Sequence, residues 1–191
     1  DTLRTYVLFM GDYSSSAPWS ETSVKGCKRF LDRTAALSDL VSGGDVTPEL
    51  EASFHKTIKK VTADIDLMKF NTAVAALMSL LNEIYDAGRL TKKELSIFIR
   101  LLCPFAPHLC EEMWEQLGET GFASLSAWPD YDESKTVEKS IEVPIQINGK
   151  LRTVITVDAD SSKESILESA RADERVSSAV DGKTIVKEIY V

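Results

Sequence analysis

Nine glycines and six prolines in 191 residues are too few for a collagen-like or low-complexity chain. No run of eighteen apolar residues occurs, so no segment reads as a membrane span. Cysteine is scarce: Cys27, Cys103 and Cys110 make an odd count without C-x-x-C spacing, which disfavours a disulfide framework and an ordinary zinc site. Reduced, buried thiols are the simpler expectation. Two histidines, His55 and His108, leave little for imidazole catalysis, and neither stands beside a nucleophile in sequence. His55 lies among Lys56, Lys59 and Lys60, where a solvated helix face accounts for it. Gly43-Gly44 lacks the following Lys-Ser/Thr of a phosphate-cradling loop. Positive charge is also in deficit, with 22 Lys and Arg against 30 Asp and Glu and a net charge of −8. The surface as a whole repels polyanions, and any nucleic-acid site must be a local patch. Asp1-Thr2-Leu3-Arg4 has no basic region leading into a cleavable apolar run, which makes a cytosolic compartment the default expectation.

What the chain does hold is 43% apolar residues, enough for one large domain or two small ones. Up to about residue 128 these recur at helical spacing. A first helix is expected over residues 2–10, with Leu3, Tyr6, Val7 and Met10 on one stripe, stopped at Gly11. A polar loop with Ser14, Ser15, Ser16 and Pro18 follows. The spacing of Phe30, Leu31, Leu37, Leu40 and Val41 predicts a second helix over residues 22–41, capped by Gly43-Gly44. Thr47-Pro48-Glu49 has the residue types that open a third helix, and residues 71–87 form a fourth, apolar on more than one side and ended by Gly88. Thr91-Lys92-Lys93-Glu94 is a capping box that launches a fifth helix, which Pro104 stops. The sixth runs from near Pro107 to Gly118. Short connections make an antiparallel helical bundle the economical architecture for residues 1–130.

From about residue 137 the period changes to two. Ile141, Val143, Ile145 and Ile147 alternate, Asn148-Gly149 supplies a two-residue turn, and Leu151, Thr153, Ile155 and Val157 return on one face as a β-hairpin. Pro144 places its position on a sheet edge. Ser161-Ser162-Lys163-Glu164 reads as a second capping box, a shorter helix follows over residues 174–180, and residues 184–191 read as a third strand. The whole is mainly α, a bundle followed by a small α+β domain of order ββααβ over residues 140–191, truncated by the end of the chain. The polar, charged residues 131–139 suit a linker. A strand running to the last residue, in a chain that starts inside an apolar helix, suggests a fragment of something larger.

The segment from Cys103 to Trp114 brings two thiols, an imidazole and carboxylates together, but six residues separate the cysteines and two prolines constrain the loop. A proline-broken helix start explains it better than a metal. Basic residues occur in local groups: Lys25, Lys28, Arg29 and Arg33; Lys56, Lys59 and Lys60; Lys150 and Arg152; Lys183 and Lys187. Such groups usually form solvated faces, yet Lys25, Arg29 and Arg33 share an i, i+4 row suited to tracking a phosphate backbone.

Asp1-Thr2-Leu3-Arg4, Trp19-Ser20, Arg29-Phe30-Leu31-Asp32-Arg33, Phe70-Asn71-Thr72-Ala73 with Met78 and Asn82, and Pro104-Phe105-Ala106-Pro107-His108 with Glu111-Glu112-Met113-Trp114 resemble blocks of the class I aminoacyl-tRNA synthetases for leucine, valine and isoleucine. Val143-Pro144-Ile145-Gln146-Ile147-Asn148-Gly149-Lys150-Leu151-Arg152 resembles the C-terminal hairpin of bacterial-type leucyl-tRNA synthetases, the more specific match. Pro144 departs from the family's β-former there, and Ser14-Ser15-Ser16 from a segment usually more acidic or proline-bearing. The resemblance implies an anticodon-binding-type bundle that grips the tRNA body, and a terminal domain that meets the outer corner and long variable arm. The family's His-Ile-Gly-His and Lys-Met-Ser-Lys-Ser type elements are not in these residues. The resemblance therefore places the catalytic and editing domains upstream in a parent that uses ATP and Mg2+, and this fragment carries no catalytic residue, metal ligand or cofactor of its own. The expected tRNA contacts are Lys25, Arg29, Arg33, Lys150, Arg152, Lys183 and Lys187. The partner is leucine tRNA, held by phosphate and sugar contacts without decoding of bases. The corresponding region of a valyl or isoleucyl synthetase, and a helical protein-interaction module, are the alternatives.

Overall fold

The computed structural model describes residues 1–12, 16–44, 46–136, 140–158, 161–181, 187 and 189. The chain is mainly helical and divides into two compact units, Asp1–Thr136 and Val137–Val191. Among the described residues no helix is long and apolar enough to cross a membrane.

The first unit opens with α1 (Thr2–Phe9). α2 (Glu21–Ala35) starts at Ser20, whose hydroxyl accepts the Ser23 amide at 3.3 Å. α2 ends six residues earlier than the periodicity over 22–41 predicts. Near its end Thr34 turns its hydroxyl back on the Phe30 carbonyl, competing with the helix ladder, and residues Ala36–Leu40 tighten into a 3-10 turn that still buries Leu37. The chain then leaves as β1 (Val41–Ser42), paired in parallel with β2 (Leu90–Thr91). Gly43 and Gly44 thus follow a short strand and cap no helix.

α3 (Glu51–Asp66) packs on α4 (Phe70–Ala87), the central element, in which Ala73, Val74, Leu77, Leu80, Leu81 and Ile84 are wholly buried. Gly88 adopts φ +68°, a left-handed conformation that costs glycine little, and ends α4. Thr47 does not cap α3 with its side chain. It is buried, and its amide and hydroxyl donate to the Glu94 carboxylate at 2.7 and 2.8 Å. That carboxylate also accepts the Thr91 amide at 2.7 Å, while Thr91 accepts the Glu94 amide, completing the capping box of α5 (Lys92–Leu102). α6 (Pro107–Gln116) begins with proline in its first turn, where no amide is needed.

The second unit holds the hairpin of β3 (Ser140–Ile147) and β4 (Lys150–Asp158). Asn148 at φ +52° and Gly149 at φ +74° make the two-residue turn whose twist matches the strands. Val143 faces Ile155 and Ile145 faces Thr153, and β4 packs on α7 (Lys163–Ala172) and α8 (Glu174–Val180) through Val157, Ile166, Ala170 and Val176. α7 is capped one residue later than the expected box. Ser162 accepts the Ser165 amide, while the Ser161 amide donates to the Asp158 carbonyl at 2.9 Å. The third strand over 184–191 lies outside the described residues except for Lys187 and Ile189, both exposed.

Candidate nucleic-acid interface

Lys25, Arg29 and Arg33 stand one turn apart on α2, but they do not share a fate. Lys25 and Arg29 are exposed, and among the described residues neither has an ion-pair partner, whereas the neighbouring Lys28 is held by Asp32 at 2.7 Å. Arg33 is half-buried. Its guanidinium donates to the Asn82 side-chain oxygen at 2.8 Å and lies 4.6 Å over the Tyr85 ring, and the Tyr85 hydroxyl donates to the Arg33 carbonyl. Arg33 joins α2 to α4.

On the hairpin, Lys150 and Arg152 are exposed, with Leu151 between them 61% exposed. Pairing shifts between Ile145 and Gln146, so that Gln146 meets Leu151 and Ile147 meets Lys150. Arg152 is left as the extra residue of a β-bulge, a device that re-aims side chains. Lys187 is exposed, and Lys183 lies outside the described residues.

A third basic surface is built on Lys56, Lys59 and Lys60, a group the sequence displays but which is not among the expected tRNA contacts. Lys56, Thr57, Lys59, Lys60 and Ala63 of α3 join Ala76 and Ser79 of α4 and Thr136 around an open groove of about 520 Å³. Residues 131–136, read from sequence as the start of a linker, lie on α3. The Asp132 amide donates to His55 Nδ1 at 3.0 Å, and Trp128 Nε1 donates to the Thr62 hydroxyl at 2.8 Å. Glu133 pairs with Lys59 at 2.5 Å, and Lys135 with Glu51 at 2.8 Å. These partners raise the pKa values of both lysines, chiefly through the hydrogen bonds from the ammonium groups. Sequence carries only a faint signal for this strap, the opposite charges of α3 and residues 132–135.

The Cys103 to Trp114 segment seats α1. The Asp1 carboxylate accepts the Leu109 amide at 2.7 Å and lies 3.0 Å from His108 Nδ1; Arg4 and Thr5 donate to the Pro104 and Phe105 carbonyls. Cys103 and Cys110 are buried, and burial pushes the Cys110 thiol well up. Among the described residues no group of three His, Cys, Asp or Glu is placed to hold a metal ion.

The family described as the anticodon-binding domain of tRNA ligase matches residues 48–167, more than half of the chain. The chain belongs to that family. Over its whole length it is 50% identical to leucine–tRNA ligase of Alkaliphilus oremlandii (strain OhILAs), and it covers 24% of that protein. It is also similar to the LeuRS chain in the crystal structure of the ternary complex of Agrobacterium radiobacter K84 agnB2 LeuRS-tRNA-LeuAMS, with a TM-score of 0.67 and 28% identity, covering all of this chain and 27% of that one. The chain therefore spans about a quarter of the length of these relatives. The residues matched to the anticodon-binding family take in α3 to α6, the strap, the lysine groove and the hairpin with Lys150 and Arg152, while the α2 row precedes them.

Proposed function

We propose that this chain is the tRNA-binding part of a leucine–tRNA ligase, holding leucine tRNA while the parent enzyme attaches leucine at the expense of ATP. The observation that carries the reading is 50% identity to a leucine–tRNA ligase across the entire chain. The first unit then serves as an antiparallel bundle of the anticodon-binding type, and the second as the terminal tRNA-binding domain. Lys25 and Arg29 on α2, Lys150 and Arg152 at the hairpin, and Lys183 and Lys187 beyond it contact phosphate and sugar, while Arg33 positions α2 against α4. This is positioning work that fixes the acceptor end without reading bases. Neither ATP-handling signature element is in the sequence, so the binding of ATP and Mg2+ is assigned to the rest of the parent enzyme. Activation of leucine belongs to the remaining length of a cytoplasmic parent.

Charge reversal of both hairpin cations, Lys150→Glu with Arg152→Glu, tests the reading. Binding of a leucine tRNA transcript is expected to weaken, and the slope of log affinity against log salt to become shallower by about 2. Retained helicity by circular dichroism separates this from misfolding, and unchanged binding rejects the two residues as contacts.

A further inference from the structure

Two of the lysines that line the groove between α3 and α4 are paired with acids of the chain itself. Lys60 is held by Asp64, a buried carboxylate four residues along the same helix, so that pair belongs to the helix. Lys59 is different. Its partner Glu133 is 74 residues away on the strap, and the two side chains are 47% and 66% exposed. An exposed pair of this kind is readily exchanged for another anion of similar geometry. A carboxylate and a phosphate offer an ammonium group the same thing, a fork of anionic oxygens. Around Lys59 the groove adds Lys56 from the previous turn and the hydroxyl-bearing residues Ser79 and Thr136.

We infer that Glu133 occupies on Lys59 the place of an RNA backbone phosphate, so that the groove is a phosphate-binding site of the tRNA-binding face and the strap competes for it in the free protein. The inference rests on the tRNA-binding function proposed above. The strap has other anchors, namely the His55 bond to the Asp132 amide, the Trp128 bond to Thr62 and the Lys135 pair with Glu51, so loss of the Glu133 charge leaves it attached. Exchange then removes one acidic competitor without moving the backbone.

The test compares this chain with its Glu133→Gln, Lys59→Gln and doubly substituted variants, binding an unmodified leucine tRNA transcript at several salt concentrations. Glu133→Gln is expected to bind several-fold more tightly at low salt with the salt slope unchanged, since the complex makes the same phosphate contact, whereas Lys59→Gln is expected to make the slope shallower by about 0.7 to 0.9. Lys59→Gln is expected to cancel the gain, so that the double variant matches Lys59→Gln alone. Wild-type binding with no gain in affinity for Glu133→Gln overturns the inference and leaves the proposed function standing; absence of binding by wild type overturns both. If Trp128 emission shifts in Glu133→Gln, the strap has come loose and Lys59→Gln decides alone. Weaker binding by that variant then supports the site, and unchanged binding overturns it.

Discussion

Arg33, Arg29 and Lys25 carry the same charge at one-turn intervals on α2, yet packing separates them. Tyr85 and Asn82, both on α4, hold the half-buried Arg33 by stacking and hydrogen bonding. Truncation by Arg33→Ala removes both contacts and is expected to cost about 1–2 kcal/mol in urea unfolding. Lys25→Ala and Arg29→Ala touch nothing comparable and are expected to stay within about 0.5 kcal/mol of wild type. Equal losses at all three positions would contradict the assignment of Arg33 to packing. Glu111 gives the matching case for an acid. Burial is the largest single influence on it and acts upward, but hydrogen bonds from Ser124 and Ala123 together outweigh burial and hold the carboxyl below the usual glutamate range. A depressed folded pKa contributes stability that is present above the unfolded value, near 4.3, and is lost as pH falls through the lower folded value. Glu111→Gln is therefore expected to flatten the fall in unfolding free energy on acidification below about pH 4.3. Denaturant titrations at matched pH values measure this, and an unchanged pH profile would show that Glu111 contributes no such linkage.

Elements were legible in the sequence where both ends of a signal lie within a few residues. Thr91 with Glu94, Gly88 after α4, and Asn148-Gly149 each close a structure against a neighbour in the chain. They were misread where the deciding partner is remote. Thr47 looks like a cap, but Glu94, 47 residues later, claims both its donors. Residues 131–136 look like a linker because nothing near them shows that His55, Glu51 and Lys59 hold them. The same logic divides the candidate site. The exposed α2 and hairpin cations followed from local pattern, while the withdrawal of Arg33 and the strap-lined groove depend on contacts across 49 and 74 residues. The hairpin offers the sharpest elemental test. Gly149 sits at φ +74°, where a Cβ is strained even though nothing crowds it. Gly149→Ala should cost the hairpin about 1–2 kcal/mol through that conformation alone. Hydrogen exchange should report faster opening of β3 and β4 amides and unchanged protection in α4. Unaltered β3 and β4 protection would mean that the turn does not set hairpin stability.

For the whole molecule the governing quantity is a field that opposes its own ligand. Residues 1–130 carry thirteen Lys and Arg against eighteen Asp and Glu, and residues 131–191 nine against twelve, net −5 and −3. Neither stretch draws RNA from a distance, and binding must come from phosphates neutralised at short range by a few exposed cations. Beyond a Debye length of about 10 Å at 0.1 M salt the acidic background is largely screened, so added salt relieves repulsion while it also weakens the contacts. Contact loss dominates, because each neutralised phosphate releases condensed counterions and the repulsion is spread over the surface. With Lys25, Arg29, Lys150, Arg152, Lys183 and Lys187 as contacts, the slope of log affinity against log salt is expected near −5, about a thousandfold loss between 50 and 200 mM salt. Fluorescence anisotropy with a labelled leucine tRNA transcript measures it directly. Tight binding that ignores salt would require recognition through stacking or apolar burial, which these six cations do not provide, and would move the interface to another surface.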